Sequence, residues 1–86
     1  MDPARSRFEI DDIWRARVEQ AAQLHKVAVA QFHKVLEEFN LGLYAPRDGY
    51  VAIRQARLQE SVTRDEYMRV LKVFVDLIVH QIPPTD

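Results

Sequence analysis

The sequence has no cysteine and only two glycines among its 86 residues. The lack of cysteine excludes disulfides and thiolate metal sites, and two glycines are too few for a phosphate-binding loop. No run of about 18 apolar residues is present, so no segment is predicted to span a bilayer. The formal net charge is −1, which gives no overall field that attracts nucleic acid or an acidic membrane. We therefore expect a cytoplasmic protein with no cofactor, no metal and no membrane partner.

What the sequence does have is a long segment, Ile10 to Phe39, without proline or glycine. At about 100° per residue its apolar side chains fall on one side of a helix, and His25 lies in the middle of that stripe. The first helix is predicted over about 11–39. It begins near Asp11 or Asp12, where a carboxylate accepts unpaired backbone N–H groups, and it ends before Asn40 and Gly42.

Two shorter helices are predicted beyond a connection punctuated by Pro46 and the Asp48-Gly49 pair. The second covers about 49–60, with Asp48 as its cap, and the third covers about 64–81. The fold is therefore predicted to be all-α, an antiparallel bundle of three helices.

A single local pattern divides the second helix from the third. Ser61 and Val62 are expected to interrupt the helix, and the segment from Thr63 to Glu66 matches a capping box, in which the threonine and glutamate side chains bind each other's backbone amides. The chain is predicted to be one domain over residues 1–86, with flexible tails at 1–8 and 83–86.

The apolar faces of the first and third helices are wider than a chain of this size can cover. Small domains bury only about 60% of their unfolded surface, and monomers seldom expose large apolar patches. We therefore expect a homodimer with its long helices antiparallel in a four- or six-helix bundle, with a monomeric three-helix bundle as the alternative. The expected interface residues are Trp14, Val18, His25, Phe32, Phe39 and Phe74.

Three histidines are the only side chains that suggest chemistry. His25, on an apolar face, is interpreted as structural, with a pH-sensitive interface residue, a phospho-acceptor or a ligand contact as alternatives. If it were enclosed by apolar groups, acid would weaken the fold. His33 and Glu37 have metal-ligand spacing, but two ligands make no site. No catalytic arrangement is visible, so no enzyme activity is expected.

Arginines cluster in the middle third of the sequence. Tyr50, Arg54 and Arg57 share one line on the second helix. We predict that its arginines pair with acidic residues across the interface or bind an acidic protein partner. Alternatively, the short second helix followed by a turn loosely resembles a helix-turn-helix. The favoured function is thus a non-enzymatic interaction module, an adaptor, assembly or regulatory subunit, that acts as a homodimer and binds an unidentified protein. The alternative is a dimeric DNA-associated transcriptional regulator.

Overall fold

The computed structural model describes the backbone of residues 3–81 and the side chains of residues 9–81. Over this range the chain forms two helices, α1 (Pro3–Asn40) and α2 (Pro46–Val79), joined by residues 41–45. The helices pack side by side in opposite directions, and the molecule measures 61 × 18 × 16 Å. The all-α prediction is confirmed, whereas the prediction of three helices is wrong, because one long α2 replaces the second and third helices.

The predicted break at Ser61 and Val62 does not exist. Thr63 lies inside α2, where its hydroxyl donates hydrogen bonds to the carbonyl oxygens of Gln59 at 2.9 Å and Glu60 at 3.0 Å. Threonine satisfies its hydroxyl in this way in helix interiors, so the capping-box pattern is not used as a cap. Glu66 instead accepts hydrogen bonds from Arg69 at 2.8 and 3.0 Å. With no proline or glycine between Gly49 and Ile82, nothing in the backbone stops the helix.

Both helices also begin earlier than predicted. The backbone of residues 3–8, which the sequence placed in a tail, belongs to α1, so the start near Asp11 is wrong. Pro3 is compatible with a first helical turn, where its missing N–H is not needed. The same reason explains α2, which begins at Pro46 behind the extended residue Ala45, with no side-chain cap. Asp48 is therefore not the cap but an acid in the first turn, where it faces the positive end of the helix.

Asn40 and Gly42 end α1, as predicted. Gly42 has φ +73°, the left-handed conformation that favours glycine. The N–H of Gly42 donates to the Phe39 carbonyl at 3.0 Å, and the N–H of Leu43 donates to the Glu38 carbonyl at 3.0 Å. These two bonds form the Schellman motif that closes many helices.

The loop packs less than its apolar residues suggest. Leu41 and Leu43 are each 67% exposed, so these two side chains do not pack against the helix end. Tyr44 does fold back, and its hydroxyl donates a hydrogen bond of 2.6 Å to Glu38 Oε2. This hydrogen bond, together with the negative charge of Glu38, raises the pKa of the Tyr44 phenol above its ordinary value.

The buried residues of both helices recur every seven positions. They are Trp14, Ala21, Ala28 and Val35 on α1, and Gly49, Ala56, Thr63, Val70 and Leu77 on α2. A seven-residue repeat keeps one line of a helix against its partner when the two wind around each other. We call these buried residues position d of the repeat. We call position a the half-buried residues that lie three places before or four places after a d residue.

Candidate protein interface

The two edges of the helix–helix seam differ because the repeat places different residues beside it. On each helix, position e follows d directly and lies beside a, whereas g precedes a and lies beside d. Because the helices are antiparallel, the e positions of both share one edge and the g positions share the other. Two cavities confirm this placement: Val29 and Arg57, both at e, line one, and Arg17 and Glu66, both at g, line the other.

The edge that carries positions a and e is apolar, and we call it the open edge. Its large side chains are half-buried, since they contact the other helix on one side and solvent on the other. The apolar members of the open edge are Val18, Ala22, Val29, Phe32, Leu36 and Phe39 on α1, and Ile53, Tyr67, Leu71 and Phe74 on α2. The apolar stripe of each helix is thus three positions wide, a, d and e. Such a stripe is typical of helices in bundles, whereas a two-stranded seam uses only a and d.

The opposite edge, which we call the polar edge, has a different composition. Its cavity of about 380 Å³ is bordered by Arg17, Gln20, Glu66 and Arg69, and Arg69 and Glu66 form an ion pair at 2.8 Å. Exposed apolar residues also lie on this side, at positions g and c: Ile10, Ile13, Leu24 and Val27 on α1 and Val62 on α2. Polar side chains such as Arg17 and Gln20 separate them, and scattered apolar residues on a surface are ordinary in soluble proteins.

A polar cluster lies halfway along the open edge. Nε2 of His25 is 3.3 Å from Oε1 of Glu60, and Arg64 Nη1 is 3.6 Å from the same oxygen. The His25 ring stacks on Tyr67, with centroids 6.3 Å apart and an angle of 12°. A carboxylate rather than apolar groups alone therefore faces His25, and the premise of the acid-sensitivity hypothesis is not met.

The predicted interface residues all lie along the seam between α1 and α2. Trp14 is buried against α2 within the same chain, and Arg17 stacks over its ring at 4.5 Å. The other five lie at position a of the open edge and are half-buried: Val18, His25, Phe32, Phe39 and Phe74. Trp14 is thus fully engaged inside the hairpin, while the other five retain an outward face.

The predicted partner-binding residues border the open edge near the loop. Tyr50 is 67% exposed, although its ring lies 5.5 Å from that of Phe39. Arg54 and Arg57 are also exposed. Arg57 lines a cavity of about 230 Å³ together with Val29, Phe32, His33 and Glu60. The structure therefore brings this basic line next to the apolar face.

The apolar residues at position e, namely Ala22, Val29, Leu36 and Leu71, were not predicted as interface residues. The signal was present in the sequence, because each follows a d residue directly and so widens the stripe on the same side. The large aromatic residues that were predicted lie at position a, whereas the smaller aliphatic residues at position e determine which edge of the seam is apolar.

Other chemistry that the sequence suggested is not assembled here. Within residues 9–81, no three histidine, aspartate or glutamate side chains come together in a way that holds a metal ion. The turn needed for a helix-turn-helix at residues 61–62 is replaced by continuous helix. Neither described helix is long and apolar enough to cross a membrane.

Comparison with known proteins gives no relative from which a function is transferred. The chain matches no family model, no curated protein and no solved structure. The functional argument therefore depends on the surface of the hairpin itself.

Proposed function

We propose that this hairpin is a non-enzymatic protein–protein interaction module that acts as a homodimer, in which two open edges pack into a four-helix bundle. The observation that supports this function is the width of the apolar stripe. Most residues at positions a, d and e are apolar on both helices, but the hairpin alone buries only position d. Burying one large apolar side chain stabilises a structure by roughly 1.5–3 kcal/mol, so covering the open edge gives a strong driving force.

A second copy of the chain is the occupant that fits this edge. The apolar face runs along most of a molecule 61 Å long, and only an equally long helical surface covers it throughout. A symmetric pairing of identical faces does so. No side chain of the described part is less than 2% exposed, so the isolated hairpin lacks the fully buried core that a four-helix bundle provides.

Sedimentation velocity at micromolar concentration tests this proposal. We expect the wild-type chain, of 10.1 kDa, to sediment as a species of about 20 kDa, because two open edges pair. The variant Leu36→Glu/Leu71→Glu places two charges on the open edge and should sediment as a monomer. Leu24→Glu, on the polar edge, is the matched control and should remain dimeric. Circular dichroism shows whether all three chains remain helical.

A wild-type chain that stays at 10 kDa up to 100 µM contradicts the homodimer. Equal weakening by the polar-edge and open-edge variants would place the contact elsewhere on the surface.

The adaptor, assembly or regulatory role is part of the same proposal. In a dimer that buries the open edge, the arginine line at Arg54 and Arg57 borders the bundle near the loop. One side of these arginines faces the second copy, and the outer side of Arg54, at position b, stays open to an acidic partner. DNA association, the alternative function, uses the same two arginines. Filter binding at 50 mM salt separates the two, because phosphate contacts bind most tightly at low salt. Retention of duplex DNA that is lost in Arg54→Ala/Arg57→Ala would favour the DNA alternative.

A further inference from the structure

We infer that the two copies pair in opposite directions, with the loop of each hairpin beside the chain ends of the other. This inference rests on the proposed homodimer and adds its orientation. We divide the molecule into a loop half, residues 25–63, and a terminal half, residues 9–24 and 64–81. The two halves of the open edge carry opposite charge.

In the terminal half the open edge is acidic. Asp11 lies at position a, and Asp12 and Glu19 lie at position b, which flanks e on the outer side. Arg15, at position e, is the cation among them. On the facing helix, Arg64 lies at position e, at the boundary of this half, where it pairs with Glu60. The other residues at positions a, b and e of this half are uncharged and include Met68.

In the loop half the open edge is basic. Arg47, Arg54 and Arg57 lie at positions b and e of α2, and all three are exposed. Lys26, at position b of α1, adds to them. Glu60 lies in this half too, but it is already engaged by His25 and Arg64. The positive charge on this half is therefore not neutralised from within the chain.

Asp11 gives a second, independent indication. Its Oδ1 is buried and has no hydrogen-bond partner in the described part of the chain. A buried carboxylate oxygen without a partner is costly, and a cationic group of a second copy beside the exposed side of this half-buried residue lowers that cost. In an opposite-direction dimer, the basic loop half of the second copy lies at the same level as Asp11.

Electrostatics therefore distinguishes the two orientations. Opposite directions place the acidic half over the basic half twice. The same direction places acid over acid and base over base. Like charges facing each other across an interface cost several kcal/mol and suppress the wrong arrangement.

Distance measurement between spin labels tests the orientation, and the absence of native cysteine makes single labels specific. The variant Leu41→Cys labels the exposed loop. In the opposite-direction dimer its two labels should lie about 50–60 Å apart, since α1 rises about 1.5 Å per residue. In the same-direction dimer they should lie within about 30 Å, because both loops then cap one end of the bundle.

A label at the middle of the hairpin is the matched control. Gln59→Cys lies on the exposed polar edge, and its two labels should lie about 35 Å apart in either orientation, the thickness of two packed hairpins. A distance of about 35 Å between the Gln59→Cys labels, together with a distance within about 30 Å between the Leu41→Cys labels, would contradict the orientation but support the homodimer. Absence of any intermolecular distance at both labels would end the homodimer, and the orientation with it.

Charge reversal gives a second measurement. The acidic-half variant Asp12→Lys/Glu19→Lys and the basic-half variant Arg47→Glu/Arg54→Glu change exposed residues only. Each should raise the dimer dissociation constant at least tenfold at low salt, because like charges then face each other. The variant with all four changes should return to within about threefold of wild type. Two outcomes would contradict the opposite-direction dimer. Either charge reversal of one half leaves the dissociation constant unchanged, or the four-site variant loses as much dimer affinity as the two half-reversals together.

Discussion

The two halves of the hairpin hold their helices together in different ways. In the terminal half, the buried position d holds Ala21 and three large side chains, and Trp14, Val70 and Leu77 form one cluster at 4%, 3% and 8% exposure. In the loop half, the same position holds Val35, Thr63 and three small residues, Ala28, Gly49 and Ala56. Large residues fill the seam, whereas small ones let two helix backbones approach closely.

This difference explains where the aromatic rings of the loop half lie. With little room at d, the rings of Phe32 and Phe39 occupy position a and remain half-buried on the open edge. In the terminal half, Val18, Val73 and Phe74 pack directly against the Trp14 cluster. From this comparison we expect the terminal half to supply most of the stability of the hairpin, and the loop half to offer apolar surface to the proposed second copy.

The largest expected effect is the loss of the terminal cluster. Trp14→Ala should lower the free energy of unfolding by about 3–5 kcal/mol, since it removes the largest buried side chain and leaves a cavity. Urea unfolding followed by circular dichroism, at fixed protein concentration, measures the change. Ile13→Ala is the matched control, because Ile13 is 52% exposed, and it should cost less than about 1 kcal/mol. Equal losses in the two variants would show that the terminal cluster is not the main source of stability.

In the loop half, a small residue is required at Gly49. A Cβ added there would come within 2.5 Å of Phe39 Cε2, so the ring or the helix has to move. We expect Gly49→Ala to lower the free energy of unfolding by about 1–3 kcal/mol, as overpacking does. Helix propensity alone predicts the opposite sign, a gain of roughly 0.8–1 kcal/mol. The sign of the change therefore decides whether close approach matters at this position.

A double-mutant cycle refines this test. Phe39→Leu removes the ring that an added methyl group meets, so Gly49→Ala should cost less in the Phe39→Leu background than in the wild type. A coupling of about 0.5 kcal/mol or more is expected for residues in contact. Independent, additive effects would show that the cost of alanine arises from something other than the ring.

Local signals in the sequence predicted much of this hairpin but not its connectivity. The amphipathic stripe of α1 and its end at Gly42 could be predicted, because each depends on residues that are close in sequence. The continuity of α2 was not, since Ser61, Val62 and Thr63 carry a capping pattern that resembles a helix start. The seven-residue spacing from Ala56 through Thr63 to Val70 overrides that pattern. It places Thr63 against α1, and this packing is a tertiary effect that a local pattern does not contain.

The same reasoning applies to the interface. Five of the predicted interface residues are at position a, which a search for large apolar residues finds readily. Which edge of the seam stays exposed to solvent depends on how the two helices pair. The prediction of three helices implied that two short helices, rather than one long helix, pack against α1. Once α2 is continuous, the apolar residues at position e, such as Leu36 and Leu71, define the edge.

The smallest expected effect concerns Thr63, at the boundary between the two halves. Its hydroxyl donates to carbonyls of its own helix, whose oxygens already accept backbone bonds, so removing it leaves no buried group unpaired. Thr63→Val keeps the shape of the side chain and should change the free energy of unfolding by less than about 1 kcal/mol. Ser61→Ala, on the same helix, should be similarly neutral. If Thr63 were instead the cap of a third helix, its replacement would cost about 1–2 kcal/mol, and Glu66→Ala would cost a similar amount. Losses of stability in both the Thr63 and the Glu66 variants would therefore indicate that α2 is two helices. The continuous open edge on which the proposed dimer depends would then not exist.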